Sequence, residues 1–198
     1  MPKETPPLTN RPPLTGEQIR THTIGELKPL SNRILIVDYD PHWPELFRRE
    51  ADRIRAVLGW RALLIEHTGS TSVPGLVAKP IIDILLAVTD SAHEDTYVPA
   101  LEAAGYVLRI RETNWHEHRM FRGPDTEINL HVFSSGCSEI DRVLMFRDWL
   151  RSNAADRDLY ARTKLALARK EWEYVQNYAD AKTVVIEEIL ARARVNWK

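Results

Sequence analysis

The chain has 198 residues, a hydrophobic fraction of 43% and a formal net charge of −1 at pH 7. This length fits one domain, or one domain with an appendage, and the apolar fraction suffices for a packed core. The balance of 27 basic and 28 acidic residues gives no strong nucleic-acid signal. A single cysteine excludes an internal disulfide and is typical of a reducing compartment. No segment resembles a signal peptide or a membrane span, so we expect a cytoplasmic protein with no membrane partner.

The first 30 residues contain six prolines and few large apolar side chains. Such a segment buries too little apolar surface to offset the entropy of ordering. The composition therefore predicts a flexible Pro-rich N-terminal arm at residues 1–30, followed by a folded domain at residues 31–198.

The spacing of apolar residues predicts strands early in this domain and helices late. Apolar residues recur at helical spacing after Asp40-Pro41, and this helix ends at Gly59. The predicted elements are a strand at 34–37, a helix at 40–58, strands at 62–65 and 81–88, a helix at 91–104, strands at 106–110, 119–122 and 127–134, and helices at 140–150, 153–174 and 182–193. Strands grouped before helices indicate an α+β fold, with helices packed on a mixed sheet and a C-terminal helical segment.

A Gly69-Ser70 turn joins the strands at 62–65 and 81–88, and Asp83 interrupts the second of these apolar strands. A carboxylate in such a strand is expected to pair with a cation, bind a metal or bind a substrate hydroxyl. The Gly69-Ser70 turn either cradles a phosphate with backbone N–H groups and hydroxyls or is a simple serine cap. Thr71 and Ser72 add hydroxyls that a simple cap does not need, which supports the phosphate alternative.

The last predicted strand presents a polar face, because side chains alternate along a strand. Asn129 and His131 share this face, and Glu127 begins it. If this strand neighbours the one that bears Asp83, then Asp83, Asn129 and His131 meet above the sheet. The alternative for His131 is a half-buried imidazole with a structural hydrogen bond.

These motifs resemble the nucleotidyltransferase signature, in which a Gly-Ser turn binds nucleotide phosphates and an Asp-x-Asp strand with a third carboxylate holds two Mg²⁺ ions. The closer resemblance is to the GrpB family, which has a nucleotidyltransferase-like fold and is also found fused to dephospho-CoA kinase. The resemblance covers about residues 34–189. The matching residues are His67-Thr-Gly-Ser-Thr-Ser-Val-Pro-Gly75, Lys79-Pro-Ile-Ile-Asp83, Asn129-Leu-His-Val132, Phe146-Arg-Asp-Trp-Leu-Arg151, Tyr160 and Lys164.

The resemblance implies a nucleotide or a CoA-like phosphorylated small molecule as the ligand. The second aspartate of Asp-x-Asp falls on Leu85, and the third carboxylate position falls near Asn129 or His131. Two functions therefore remain open: a divergent metal-dependent nucleotidyl or phosphoryl transferase, or a non-catalytic nucleotide-binding or regulatory module that has lost its metal-binding carboxylates. In the first, Asp83 and His131 are catalytic and, with Glu127, bind a divalent metal, Mg²⁺ or Mn²⁺ in preference to Zn²⁺.

The expected ligand-binding set adds basic and polar side chains to the turn. The positive charges offset phosphate charge, and Arg119 is expected to point inward from its strand. The alternative for the arginines and for Lys164 is surface pairing with nearby carboxylates. The ligand-binding set is Gly69, Ser70, Thr71, Ser72, Lys79, Arg119, Asn129, Arg147, Tyr160 and Lys164.

Overall fold

The structure is a computed structural model that describes residues 13–196, and its centre is a mixed five-stranded sheet. The strand order is β1-β2-β5-β4-β3, in which β2 and β5 are parallel and all other neighbours are antiparallel. The expected α+β fold with a mixed sheet is therefore confirmed. The strands are β1 (Leu64–Thr68), β2 (Ile82–Val88), β3 (Val107–Glu112), β4 (His118–Arg122) and β5 (Ile128–Ser134).

Helices precede, interrupt and follow the sheet. Within residues 13–196, none of them is long and apolar enough to cross a membrane. Short 3₁₀ turns at 59–61, 70–72 and 94–96 link some of the elements. The helices are α1 (Gly16–His22), α2 (Trp43–Leu58), α3 (Val98–Ala103), α4 (Ser138–Ser152), α5 (Ala154–Ala168), α6 (Val175–Asp180) and α7 (Thr183–Asn196).

The two faces of the sheet have different roles, because alternate residues of each strand point in opposite directions. Ile84 and Leu86 of β2 lie in the main core, with Leu130 of β5 and the apolar residues of α2 and α3. On the opposite face, Leu85 and Phe133 pack with residues of α4. Asp83, Asn129 and His131 are at the same strand phase as this second set, so the sheet places them on the face opposite the main core.

Residues 1–12 of the predicted Pro-rich arm at 1–30 lie outside the described residues, whereas residues 13–30 contain α1 and contact the rest of the domain. Thr15 and Gln18 form a capping box that begins α1, and Ile19 is 5% exposed. Thr23 forms a β-bridge with Ile110, and the Leu30 N–H donates to the Glu173 carbonyl. One buried isoleucine and these backbone hydrogen bonds attach the segment to β3 and to the C-terminal region.

Other segments also differ from their predicted elements, and the helix expected at 153–174 ends at Ala168. Residues 34–37 form no strand, because their only ladder contact is an isolated bridge between Val37 and Ala78. The helix expected at 91–104 is divided into a 3₁₀ turn at 94–96 and α3. The Ser91 hydroxyl contacts the Ser134 hydroxyl at 3.0 Å and does not cap a helix. Pro99 lies in the first turn of α3, where the missing N–H leaves no helical hydrogen bond unmade.

Candidate functional site

The turn after β1 brings the backbone against Asp83. Gly69 has φ 65° and ψ −171°, a conformation that is essentially restricted to glycine. A Cβ atom at this position would lie 2.2 Å from Asp83 Oδ2. The absence of a side chain at Gly69 therefore allows the 3₁₀ turn at 70–72 to begin directly beside the Asp83 carboxylate.

The structure brings Asp83, Asn129 and His131 together, as the strand pattern predicts. Asn129 pairs in register with Asp83, and its Nδ2 donates to Asp83 Oδ1 at 2.8 Å. His131 Nε2 lies 3.8 Å from the same oxygen, and the two side chains are 33% and 30% exposed. Burial opposes ionisation of Asp83, but contacts from His131 and Asn129 and the charge of Lys182 outweigh it, so the pKa of Asp83 is lowered.

A chain of polar contacts continues from His131 into the protein interior. His131 Nδ1 lies 3.0 Å from His118 Nε2, and His118 Nδ1 lies 2.7 Å from Glu112 Oε2. His22 of α1 approaches the other Glu112 oxygen at 3.3 Å. The rings of His118 and His131 are stacked, with centroids 5.2 Å apart. These contacts fix the orientation of the His131 ring beside Asp83.

Three lysines surround the Gly69-Ser70 turn and Asp83, and the pKa of each is lowered. Burial, with the charge of Lys182, lowers the pKa of Lys164 to about 7, although Asp83 opposes this shift. Burial lowers the pKa of Lys182 to about 8, with Asp83 again opposing it. Burial and the nearby Arg122 charge lower the pKa of Lys79. Burial is the largest cause of each shift, so the cavity disfavours the charged form of all three lysines.

These groups line one cavity of about 650 Å³, which extends from Gly69 and Ser70 to His131 and Lys182. Residues of the N-terminal segment, among them Leu14, Ile19 and His22, form part of its wall. The volume is in the range of pockets that hold cofactor-sized ligands. The segment that was expected to be a flexible arm is thus part of the cavity.

Arg119 and Arg147 do not reach this cavity. Arg119 pairs in register with Val132, whereas Met120 pairs with His131, so Arg119 lies on the opposite face of the sheet. It is 3% exposed and binds the Glu94 carboxylate at 2.5 Å. Arg147 donates to Glu66 at 2.6 Å and to the His67 carbonyl at 3.0 Å. Neither arginine is among the residues that line this cavity, because both are used in structural ion pairs.

The hydroxyls near the turn differ in their availability. Thr71 is 1% exposed and bonds to the Ile81 carbonyl and to His67, and Ser72 donates to the Gly69 carbonyl at 2.6 Å. These two hydroxyls hold the turn together. Ser70 is partly exposed and lines the cavity, whereas Tyr160 is buried and is not among the residues that line it.

The donor set does not fit a metal ion held by the protein. Glu127, the expected third ligand, has a side chain that is 74% exposed and pairs with Arg122 at 3.5 Å. Among residues 13–196, no three His, Cys, Asp or Glu side chains are grouped so that they could hold a metal ion. Leu85, at the second aspartate position, is buried at 1% exposure. Two-metal phosphoryl transfer needs carboxylates that these positions lack.

The sequence prediction missed Lys182, the Glu112–His118 pair and His22. Lys182 precedes α7 and reaches the site only through the packing of the C-terminal helices. No local pattern marks it, since a single lysine before a helix is ordinary. The alternation of β4 places His118 on the face of Met120, but the register that brings this face to His131 is seen only in the structure.

Comparison with known proteins identifies the family. The family model described as GrpB protein matches residues 33–192. UPF0157 protein BH1888 of Halalkalibacterium halodurans is 64% identical over 185 residues, which cover 93% of this chain and 95% of the relative. Dephospho-CoA kinase of Mycobacterium bovis is 30% identical over 215 residues, covering 93% of this chain and 53% of the kinase, so the chain spans about half of that relative's length.

Two solved structures support the same conclusion about the fold. The conserved protein GrpB from Enterococcus faecalis superposes with a TM-score of 0.73 and 32% identity, covering 83% of this chain and 100% of that one. Cid1 in complex with its short product ApU superposes with a TM-score of 0.50 and 13% identity, covering 67% of this chain and 43% of Cid1. The second likeness concerns the fold alone. The fold is nucleotidyltransferase-like, and the chain belongs to the GrpB family.

Proposed function

We propose that this protein binds a nucleotide or a CoA-like phosphorylated ligand in the cavity between the Gly69-Ser70 turn and β5. The observation that carries this proposal is the convergence of Lys79, Lys164 and Lys182 on one cavity, each with a lowered pKa. A bound anion compensates the buried ammonium groups of Lys79 and Lys182 and raises their pKa values, so anion binding and protonation of these two lysines support each other. Phosphate is the biological anion that lysine commonly contacts as a point charge.

Lys79 and Lys182 are the two lysines that we assign to the phosphate. The Lys164 ammonium group already contacts Ser70 and the Val77 carbonyl, which restricts its movement. Asn129 Oδ1 is buried without a hydrogen-bond partner among the described residues and can accept from a ligand hydroxyl or amine. A nucleotide-like ligand requires from such a cavity positive charge for its phosphate and a polar group that fixes its orientation.

The relatives support the same ligand class. A protein named dephospho-CoA kinase contains a segment similar to almost the whole of this chain. The Cid1 structure contains the product ApU, and Cid1 shares this fold. A CoA-like molecule and a nucleotide both contain a nucleoside phosphate, so both are tested. Because the donor set does not fit a protein-held metal, we propose that binding does not require one.

The test is calorimetric titration of the whole protein with ATP, CTP, CoA and dephospho-CoA, in EDTA and again with Mn²⁺. We expect one of these ligands to bind in EDTA, and Lys79→Ala and Lys182→Ala each to weaken it roughly tenfold or more. Lys170→Ala is the matched control, since Lys170 is exposed and lies outside the cavity lining. Absence of heat with all four ligands, together with an unchanged melting temperature, would refute the proposal.

A further inference from the structure

Ser70 and Lys164 form a close pair at the edge of the cavity. Lys164 Nζ lies 2.8 Å from Ser70 Oγ, and it also contacts the Val77 carbonyl oxygen. Lys164 is 2% exposed, whereas Ser70 is partly exposed and lines the cavity. A neutral amine has two N–H donors and one lone pair. With one N–H on the Val77 carbonyl, the lone pair can accept the proton of the Ser70 hydroxyl.

The surroundings of Lys164 favour this neutral form. Burial lowers the pKa of Lys164 to about 7, so close to half of the amine is unprotonated at neutral pH. Lys182, which precedes α7, acts in the same direction, and Asp83 of β2 acts against it. Tyr160, on α5 with Lys164, has a pKa raised by burial and remains a neutral phenol. Tyr160 is the third member of the group, because Lys164 Nζ lies 4.9 Å from the centroid of its ring.

We propose that Ser70 is a nucleophile and Lys164 its general base, and that the pair transfers an acyl group from an ester or thioester of a phosphorylated molecule. Serine–lysine pairs of this kind replace the serine–histidine pair in some acyl-transfer enzymes. The phosphorylated part of this substrate rests on the proposed function, because Lys79 and Lys182 line the same cavity. The proposal that Ser70 is the nucleophile does not depend on the substrate being phosphorylated.

The reaction requires only substrate and water. Neutral Lys164 takes the Ser70 hydroxyl proton while Ser70 Oγ forms a bond to the carbonyl carbon. The tetrahedral intermediate collapses, the bond to the thiolate or alkoxide leaving group breaks, and the Lys164 ammonium group protonates that group. Water then attacks the acyl-serine and gives one proton to Lys164. As the bond between the carbonyl carbon and Ser70 Oγ breaks, Lys164 returns this proton to Ser70, and a free acid leaves.

The first test uses a fluorophosphonate probe, which reacts covalently with nucleophilic serines, on the intact protein, with mass spectrometry to locate the label. We expect label on Ser70 and a labelling rate that rises with pH through a midpoint near 7. Ser70→Ala abolishes this label, and Lys164→Arg, which keeps the charge, slows it roughly 100-fold. Ser152→Ala is the control and leaves the rate unchanged, since Ser152 lies at the exposed end of α4.

A second test measures thiol release from acetyl-CoA by the wild-type protein and by Ser70→Ala. Loss of release in Ser70→Ala supports the proposal. The wild-type pH profile keeps the test decisive even if a Lys164 variant does not fold. A folded protein that binds CoA but whose Ser70 is not labelled overturns the nucleophile and leaves the proposed ligand class standing. Labelling of Ser70 without binding of CoA, dephospho-CoA or either nucleotide overturns the phosphorylated substrate and the proposed function.

Discussion

Replacement of Gly69 by alanine tests the close approach on which the site depends. The backbone conformation at Gly69 costs an L-residue about 1–3 kcal/mol. The added Cβ would lie 2.2 Å from Asp83 Oδ2, so Asp83 must move and lose its 2.8 Å hydrogen bond from Asn129. That loss adds about 1 kcal/mol or more. We expect Gly69→Ala to lower the free energy of unfolding by about 2–4 kcal/mol and to abolish binding of the phosphorylated ligand.

The assay is urea denaturation followed by tryptophan fluorescence, with Gly136→Ala as the matched control. Gly136 also has a positive φ, +80°, but nothing lies within 4 Å of a Cβ added there. The control therefore measures the backbone cost without the collision. If the two variants lose the same stability, and Gly69→Ala still binds ligand with wild-type affinity, the argument that this glycine allows the turn to contact Asp83 is refuted.

Three further predictions concern titration and packing. Burial lowers the pKa of His67 from 6.5 to about 4, so its neutral imidazole contributes fully to the free energy of unfolding above pH 6.5. This contribution falls by roughly 3 kcal/mol as the pH drops to 4. Urea denaturation midpoints at the two pH values measure the loss, and His67→Gln should remove most of it. Ligand binding at pH 8 should raise the pKa of Lys182 from about 8, so that the complex takes up about half a proton from the buffer. Because Tris and HEPES differ in their heat of ionisation, the measured binding heat should differ between them, and equal heats would contradict this prediction. Asp156→Asn weakens the contacts to Arg192 and Trp149 and should cost about 1–2 kcal/mol in urea denaturation, whereas exposed Asp158→Asn should not.

Local alternation in the sequence sufficed to predict the centre of the site. Asp83 lies in an apolar strand, and Asn129 and His131 are two residues apart, so one parallel register brings all three side chains to one face. Arg119 is 3% exposed, as expected of an inward-pointing side chain, but it lies on the face of Val132 and not on that of His131. A shift of one residue in strand phase exchanges the two faces, and nothing in the residues around Met120 fixes that phase.

Long-range packing and weak local signals account for what could not be predicted. Lys182 reaches the cavity from the far end of the chain, and single-sequence patterns do not report how helices pack. The N-terminal segment is a different case, because the sequence does contain a signal for its helix. Thr15 and Gln18 have the spacing of a capping box, but the surrounding prolines dominated the composition and predicted an arm.

The part played by the N-terminal segment has a consequence for ligand choice across relatives. The family model begins at residue 33, yet Leu14, Ile19 and His22 contact the space that a ligand would fill. Proteins that share the turn and the sheet but diverge before residue 33 are therefore expected to present differently shaped entrances. Ligand preference would then change by exchange of this leading stretch, while the turn and the sheet beneath it stay the same.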